Sequence, residues 1–402
     1  MEVRVLKPEE HIFHSAISSQ VFLDMRREDI RAKLENPAEH KREDDYLRIG
    51  CFNEKGKLQS AMTIVPFTMR MNGKEVKMGG VGAVVTLPEA RGKGGIRKLF
   101  EKAFPMMIEN GQVFSYLYPF SQPFYRLFGY EVCRQSQDVS IPINQFRGYP
   151  YPTKFEAYEP GDSTEPYAKI YEKFAQNQNL SIVRSEENWN EILKRDPYKN
   201  LEFTYLNYNK NDEPDAYILY GVSKDDGNNI GIKECAYTSP EGLHSIFGFL
   251  SKMGAEYNAV KWSLPSEINA SSLFPDDYNV DKRLESGGMN RIVSVIPALE
   301  TLKSPCNFSS GKVTIGVKDK FWETNTGVYS FEWDKGTVAA KLLDSKTITP
   351  DLETSIETLA QLVTGYITIQ EAIYKPCTKV YNEYENLSIL FPRRSIYLME
   401  YF

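Results

Sequence analysis

The sequence predicts a mixed α/β protein built from three regions, residues 1–150, 151–296 and 297–402. In the first region, apolar and alternating runs typical of strands are separated by helical patterns with apolar residues three and four positions apart. The second region roughly repeats this order of elements. The third contains short alternating runs joined by tight turns, which favours antiparallel strands. A chain of 402 residues can hold two or three such domains.

The composition is that of a globular protein, with 41% hydrophobic and 25% charged residues. No apolar run reaches about 18 residues, and the N-terminal MEVRVLKPEEH lacks the apolar core of a signal peptide. The five cysteines are scattered without C-x-x-C spacing, and the four histidines show no metal-binding spacing. We therefore expect a cytoplasmic protein that contacts no membrane and contains no disulfide framework or metal site.

A formal net charge of −6 argues against a nucleic-acid partner, because nucleic acid selects for a basic surface. It is compatible with a cationic small molecule. The histidines are expected to be ordinary polar residues, so an enzyme built on this chain must find its acid and base elsewhere.

The first part of the first region shows alternating patterns typical of strands and spacing typical of helices, one after the other along the chain. We predict a strand over residues 2–6, helices from Pro8 and over 27–34, a solvated turn over 40–45, and strands over 46–52, 58–71 and 74–78. Asn72-Gly73 is a strong hairpin signal between the last two of these strands.

The centre of the first region runs from a buried strand over residues 81–85, through a basic glycine-rich turn, into a helix. Pro88 blocks any helical continuation of the apolar run, and the helix follows the glycine-rich turn. The helix has an apolar face and ends near Asn110-Gly111. A turn of this kind presents backbone N–H groups and a helix N-terminus to an anion, so we expect a phosphorylated ligand to bind here.

The remainder of the first region is predicted to form a strand over 113–118, a short helix over 124–128 closed by Gly129, and strands within 130–143. In the second region we predict helices over 163–176, 185–195 and 240–253, with strands over 201–208, 215–223, 230–237, 259–264 and 291–296. Residues 238–242, where the helix predicted over 240–253 begins, contain no arginine and only one glycine. If this region is a duplication, its copy has lost cofactor binding.

The third region is predicted to contain strands over 313–317, 327–333 and 337–343, and a helix over 351–363. Asp334-Lys335-Gly336 makes the tight connection between the last two strands. Residues 395–402 are apolar and aromatic to the end. Because chain termini usually fray in polar sequence, this one is expected to be packed.

The glycine-rich turn fits neither of two common phosphate-binding motifs. Gly80-x-Gly82 lacks the third glycine and the helix of a dinucleotide fingerprint, and Gly94-Gly95-Ile96 does not complete a P-loop. The order strand, bend, R-G-x-G and helix instead resembles the acyl-CoA motif of the GCN5-related N-acetyltransferases (GNAT). Its core is Arg91-Gly92-Lys93-Gly94, and Ile96 stands where a glycine or alanine is usual.

A second motif, residues 124–131 (FYRLFGYE), resembles the Eis subfamily of that family. The resemblance covers the whole chain. It implies an active GNAT domain at 1–150, a degenerate GNAT domain at 151–296 and a sterol-carrier-protein-like α+β domain at 297–402, with mainly antiparallel sheets flanked by helices. It also implies a homo-oligomer, a hexamer.

The resemblance implies acetyl-CoA as co-substrate and places its binding residues. Backbone groups of Val84, Val85 and Thr86 would pair with the pantetheine arm. The N–H groups of Arg91, Gly92, Lys93, Gly94, Gly95 and Ile96 would hold the pyrophosphate. The Arg91 side chain would pair with a phosphate; the alternative is a surface arginine in a turn.

By the same resemblance, Tyr125 is the general acid and the α-carboxylate of Phe402 is the general base. The alternatives are a packed aromatic residue for Tyr125 and a terminus docked for stability alone. A free α-carboxyl has a pKa of about 3.3–3.7, which is low for a base, but burial or relay through water would compensate.

The acceptor is expected to be a primary amine of a polyamine, an aminoglycoside or a lysine, with Asp24 and Glu400 as substrate-binding candidates. No covalent nucleophile is indicated, because Cys133 lies on a strand-like stretch without a nearby histidine. Two alternatives stay open: a lipid or small-molecule carrier that uses the third domain, and an acyl-CoA sensor.

Overall fold

A computed structural model describes residues 1–22, 30–37, 44–151, 154–194, 197–223, 227–265, 268–344 and 348–402. The chain divides into two compact units. The first contains Met1–Cys133, Gly288–Arg394 and Glu400–Phe402, and the second contains Arg134–Gly287 and Ser395–Met399. Within the described ranges, none of the helices combines the length and the apolar character needed to cross a membrane.

In the described residues of Met1–Cys133, the N-terminal part of the first unit, there are six strands and four α-helices. In chain order they are β1 (Glu2–Val5), α1 (His11–Val21), α2 (Ile30–Glu35), β2 (Leu47–Phe52), β3 (Leu58–Met71), β4 (Lys74–Thr86), α3 (Gly95–Glu109), β5 (Gln112–Leu117), α4 (Gln122–Arg126) and β6 (Glu131–Val132). The predicted Asn72-Gly73 hairpin is present: both residues have positive φ, at 54° and 84°, as a two-residue turn of this hand requires.

The second unit has the same kinds of elements in a similar order. They are β7 (Gln135–Pro142), β8 (Phe155–Ala157), α5 (Glu165–Ala175), α6 (Glu186–Leu193), α7 (Pro197–Asn200), β9 (Glu202–Tyr208), β10 (Pro214–Ser223), β11 (Asn229–Tyr237), α8 (Pro240–Ser251), β12 (Ala259–Pro265) and β13 (Asp281–Ser286). The helix α8 begins without a glycine-rich turn; the Ser239 side chain accepts a hydrogen bond from the Gly242 N–H instead.

The C-terminal part of the chain continues with β14 (Met289–Ile292), α9 (Val295–Leu299), β15 (Ser310–Lys318), β16 (Gly327–Asp334), β17 (Thr337–Leu343), β18 (Leu352–Ser355), α10 (Ile356–Thr364), α11 (Ile369–Ala372), β19 (Lys379–Val380) and α12 (Tyr384–Leu390). Five of these strands form a sheet in the order β17-β16-β15-β18-β19.

Of the two larger sheets, the second contains the consecutive strands β7–β13, whereas the first contains β1–β6 and the later strand β14. The first sheet has the order β1-β2-β3-β4-β5-β14-β6, and the second, read from β8, has the order β8-β9-β10-β11-β12-β7-β13. The two orders match strand for strand, with β14 and β7 in equivalent places. The boundaries predicted near residues 150 and 296 therefore do not coincide with the boundaries between the sheets.

Two predicted elements differ in the structure. The helix predicted over 351–363 is a strand followed by a helix: β18 pairs in parallel with β15, and the Ser355 hydroxyl caps α10 by accepting from the Thr358 N–H. The strand predicted over 291–296 ends at Ile292, and α9 follows it. Pro297 is tolerated there because it lies in the first turn of α9, where its missing N–H is not needed.

The helix α3 packs its apolar face on the first sheet. Leu99, Phe100, Ala103, Phe104 and Met107 are all fully buried in one cluster with residues of β2, β3, β4 and β5. This is the face that the spacing in the sequence predicts.

A buried ion pair joins β14 to the loop after β15 within the first unit. Arg291 Nη2 donates to Asp319 Oδ2 at 2.5 Å, and both side chains are fully buried. Asp319 also accepts from the N–H groups of Phe321 and Trp322, while the Arg291 guanidinium lies 4.6 Å from the centre of the Phe104 ring. The carboxylate is thus satisfied by several donors, as a buried charge must be.

We expect Asp319→Ala to lower the free energy of unfolding by about 3–5 kcal/mol, because it leaves the Arg291 charge buried and unpaired. The measurement is urea denaturation of the full chain followed by circular dichroism. Glu332→Ala is the control. Its carboxylate pairs with Lys341 at 3.2 Å on the surface of the same sheet, and it should cost at most about 1 kcal/mol. Equal costs for the two variants would contradict this account.

Candidate active site

The site forms where β4 and β5 separate. The two strands run parallel, and the last pair in their register is Val81 with Leu117. β5 ends there, whereas β4 continues to Thr86 and pairs on its other side with β3. The segment of β4 after Val81 therefore has one edge without a β5 partner.

A β-bulge lies in β4 directly after this point. Gly82 is opposite Thr63 and Val85 is opposite Ala61, so Ala83 and Val84 together face a single residue of β3. Ala83 has φ of 46°, a strained value for a residue with a side chain. Its carbonyl oxygen lies 2.8 Å from Nε2 of the buried His14, whose N–H donates to it.

The strand leads into the glycine-rich turn and α3. Gly92 and Gly94 have φ of 75° and 77°, and Gly94 is the N-cap of α3. These left-handed conformations explain the two glycines, because a side chain at either position would strain the backbone. Gly95 is the buried first residue of α3, and Ile96 is partly buried against the core.

The turn is exposed and carries free positive charge. Arg91 and Lys93 are both exposed, and neither forms an ion pair within the described ranges. The nearby Glu89 is held by Lys57 at 3.1 Å, and Arg97 is near Glu101 at 3.7 Å. The turn therefore combines unpaired cations with the positive end of a helix of 15 residues, the electrostatics of an anion site.

Tyr125 lies in the short helix α4 and is almost fully buried. Its side chain is 3% exposed, and its ring contacts those of Phe100, Phe120, Phe124 and Tyr130. Burial raises the pKa of the Tyr125 phenol, and the neighbouring Tyr130 adds to the shift. The phenol is thus protonated at neutral pH and can only act as a proton donor there.

The other residues of the FYRLFGYE motif hold the turn that carries Tyr125. Arg126 donates to Glu131 at 2.7 Å. Burial opposes the charge of Glu131, but hydrogen bonds from Arg126 and the Val132 N–H outweigh it and lower the pKa of Glu131. Gly129 has φ of 78°, and a Cβ there would lie 1.6 Å from Nη1 of Arg291. The turn therefore rests directly on the arginine of the buried ion pair.

The C-terminal residue lies on β4. A Cβ added to Gly80 would be 2.7 Å from the Phe402 ring, and one added to Gly82 would be 2.8 Å from the Phe402 carboxyl carbon. The Phe402 ring also contacts those of Phe67, Tyr118 and Tyr116, with centroid distances of 5.0, 5.6 and 6.3 Å. The predicted packing of the terminus is present, and the carboxyl group lies beside the bulge.

Several of the residues predicted to form the site lie close together in the structure. Val84 is part of the bulge, Val85 and Thr86 follow it, and the Thr86 hydroxyl donates to the Ser60 hydroxyl at 3.0 Å. The Glu400 carbonyl oxygen accepts from the Tyr118 hydroxyl at 2.7 Å, and the Glu400 side chain is half-buried. Asp24 lies outside the described residues.

Sequence reasoning missed His14, Tyr118 and the role of Gly80 and Gly82. The two histidines of α1 were expected to be ordinary polar residues, yet His14 is 4% exposed and bonds the bulge. The glycines did leave a signal, since glycine inside a strand often marks close approach of another backbone. Cys133 is buried as expected, and burial raises the pKa of its thiol to about 12.

Three family models match consecutive parts of the chain. Residues 2–133 and residues 180–292 each match a model described as an acetyltransferase (GNAT) domain, and residues 295–398 match one described as a sterol carrier protein domain. These matches confirm the predicted fold class and the prediction that the protein is an acetyltransferase. No curated protein sequence matches this chain.

Solved structures share the fold along the entire chain. A GCN5-related N-acetyltransferase from Anabaena variabilis is 21% identical, with a TM-score of 0.85 and 100% of both chains covered. Eis1 from Mycobacterium abscessus is 17% identical, with a TM-score of 0.78 and the same coverage. A probable N-acyltransferase from Enterococcus faecalis is 19% identical, with a TM-score of 0.83, covering 98% of this chain and 97% of its own. At these identities the likeness is one of fold.

Gly82→Ala is expected to lower acetyl transfer strongly, because the added methyl group would displace the Phe402 carboxyl carbon from β4. A loss of about tenfold or more would be consistent with the sensitivity of reacting groups to shifts of about 1 Å. Gly231→Ala is the matched control: Gly231 lies inside β11, and its added Cβ would meet only a carbonyl oxygen at 3.8 Å. The measurement is the rate of free thiol release from acetyl-CoA. Equal rates for the two variants would contradict the prediction.

Proposed function

We propose that this chain is an Eis-like GNAT acetyltransferase that transfers the acetyl group of acetyl-CoA directly to a primary amine. The acceptor is a polyamine, an aminoglycoside or a lysine-type amine of a small molecule or protein. One observation carries the proposal: the Phe402 carboxyl carbon lies against β4 at Gly82, one residue before the bulge and one after the last β4–β5 pair.

The exposed turn is the proposed site for the pyrophosphate of acetyl-CoA. Backbone N–H groups of residues 91–96 and the N-terminus of α3 would bind the phosphate oxygens, and Arg91 would supply a charge-assisted contact. Val84, Val85 and Thr86 would pair with the pantetheine arm along the edge of β4 that β5 leaves open. The thioester would then reach the bulge.

The proposed base is the α-carboxylate of Phe402. An amine arrives mostly protonated at neutral pH and must lose one proton before it can attack. The carboxylate would accept that proton, directly or through water, and the neutral amine nitrogen would then form a bond to the acetyl carbon. The nitrogen is positively charged once this bond has formed, and it would lose its second proton to water as the carbon–sulfur bond breaks. Phe402 is half-buried, and the contact of its ring with that of Phe67 keeps the residue on the first sheet.

Tyr125 is the proposed acid. As the carbon–sulfur bond breaks, the phenol would give its proton to the departing thiolate, and solvent would return it afterwards. The raised pKa keeps the phenol protonated for this step. Direct attack in a ternary complex is favoured over an acetyl-enzyme because the Cys133 thiol is buried and its pKa of about 12 leaves almost no thiolate.

The cellular setting is part of the proposal. We place the enzyme in the cytoplasm as a homo-hexamer, without nucleic acid or membrane as a partner. Within the described ranges, no three His, Cys, Asp or Glu side chains are grouped to hold a metal ion, and no step of the proposed reaction calls for one.

The proposed reaction is tested by adding one glycine after Phe402. This keeps the Phe402 ring but moves the carboxylate by one residue, so thiol release with a panel of polyamines, aminoglycosides and lysine derivatives should be abolished. Stabilisation of the protein by acetyl-CoA in thermal melts should persist. The same glycine added before Met1 is the control. Full turnover by the C-terminal variant would disprove the role of the carboxylate, and no thiol release with any amine would argue for a carrier or a sensor.

Tyr125→Phe is expected to lower kcat by a factor of about 10² to 10⁴, the usual contribution of a general acid. Since the pKa of Tyr125 is raised, the wild-type rate should show no loss from phenol ionisation below about pH 10. The control is Tyr167→Phe, which removes an equally buried hydroxyl, 3% exposed, from the second unit. A Tyr125→Phe enzyme with the kcat of the control would remove Tyr125 from the mechanism.

A further inference from the structure

The last three residues of the chain all contact one side chain, that of Tyr118. Its hydroxyl donates to the Glu400 carbonyl oxygen at 2.7 Å. Its ring lies 4.8 Å from the Tyr401 ring, at an angle of 34° between the planes, and 5.6 Å from the Phe402 ring. Three consecutive residues are thus held by one hydrogen bond and two ring contacts.

Tyr118 can make these contacts because of where β5 ends. Leu117 is the last residue of β5 and the last to pair with β4. Tyr118 is therefore the first residue after the point where the two strands separate. β4 presents Gly80 and Gly82 beneath Phe402 at the same level. The chain end therefore lies between Gly80 and Gly82 of β4, which carry no side chains, and the tyrosine that follows the neighbouring strand.

The contacts of the Phe402 ring do not by themselves fix the position of the Phe402 carboxyl group. The ring of Phe402 is fixed by Phe67 and Gly80, but rotation about the backbone of residues 400–402 would still move the carboxyl group. The Tyr401 side chain is 79% exposed, and its ring lies against that of Tyr118 with a tilt of 34° between the planes. The hydrogen bond to the Glu400 carbonyl oxygen and the ring contact at Tyr401 restrict this rotation of the backbone.

We propose that Tyr118 is a positioning residue that holds residues 400–402 so that the Phe402 carboxylate stays beside the bulge in β4. This inference rests on the proposed function, because it assigns Tyr118 to the base of that reaction. Tyr118 itself exchanges no proton with substrate. It acts by restricting the chain end.

How firmly Tyr118 keeps residues 400–402 on the protein surface can be measured without the acetyl-transfer reaction. Carboxypeptidase removes Phe402 only when the terminal residues leave the protein surface, so the rate of Phe402 release, followed by mass spectrometry, reports how often they do. Tyr118→Phe keeps the ring and removes the hydrogen bond. We expect release about 3- to 10-fold faster, the value of a typical net hydrogen bond.

The catalytic consequence is measured on the same variant. We expect kcat to fall by about 3- to 10-fold while the Kd for acetyl-CoA stays unchanged, because the cofactor contacts are separate from the chain end. Tyr149→Phe is the matched control. Its hydroxyl donates to a backbone carbonyl, that of Leu273, at the same 2.7 Å distance and is likewise part-buried, in the second unit.

Three outcomes decide the matter. Faster Phe402 release together with lower kcat, with neither change in Tyr149→Phe, supports the inference. Release at the wild-type rate overturns it, whatever the activity. Faster release with unchanged kcat overturns the catalytic role of both Tyr118 and the carboxylate, which would be a failure of the proposed function. Thermal melts of both variants verify that the fold is retained.

Discussion

A peptide can lie flat on the middle of a β-strand only where the strand has no side chains, and β4 provides such a segment at Gly80 and Gly82. Glycine inside a strand costs about 0.5–1 kcal/mol relative to alanine at each position. Both glycines lie next to Val81, the residue of β4 at which the pairing with β5 ends. The bulge at Ala83, the position of Phe402 and the open edge that leads to the glycine-rich turn all depend on that one stretch of backbone.

The FYRLFGYE motif has a physical explanation that its sequence does not reveal. Tyr125 is the residue of the motif that we propose to act in the reaction; Arg126 and Glu131 close the turn as an ion pair, and Gly129 leaves room for the guanidinium of Arg291. That guanidinium is held by Asp319, almost two hundred residues later in the chain than Tyr125. A motif that reads as catalytic is thus mostly a support for one side chain.

The sequence predicted correctly those features that depend on residues close together in the chain. The Asn72-Gly73 hairpin, the apolar face of α3 and the turn with Gly92 and Gly94 follow from backbone preferences and spacing, and the structure contains all three. The predictions were incomplete where distant segments meet. The bond of His14 to the bulge, the contacts of Tyr118 with the chain end and the pairing of β18 with β15 have no local signal, and the helix predicted over 351–363 was wrong in its first turn for that reason.

The position of β14 in the first sheet has a consequence for biogenesis. β5 and β6 leave the ribosome long before β14, which must enter between them. At synthesis rates of about 5–20 residues per second, β5 waits roughly ten to thirty-five seconds for its neighbour. During that interval the nascent sheet has an open edge, the kind of surface that chaperones cover and that aggregates when they do not. The first sheet can therefore be completed only after Arg134–Gly287 has been synthesised, because that segment lies between β6 and β14 in the chain.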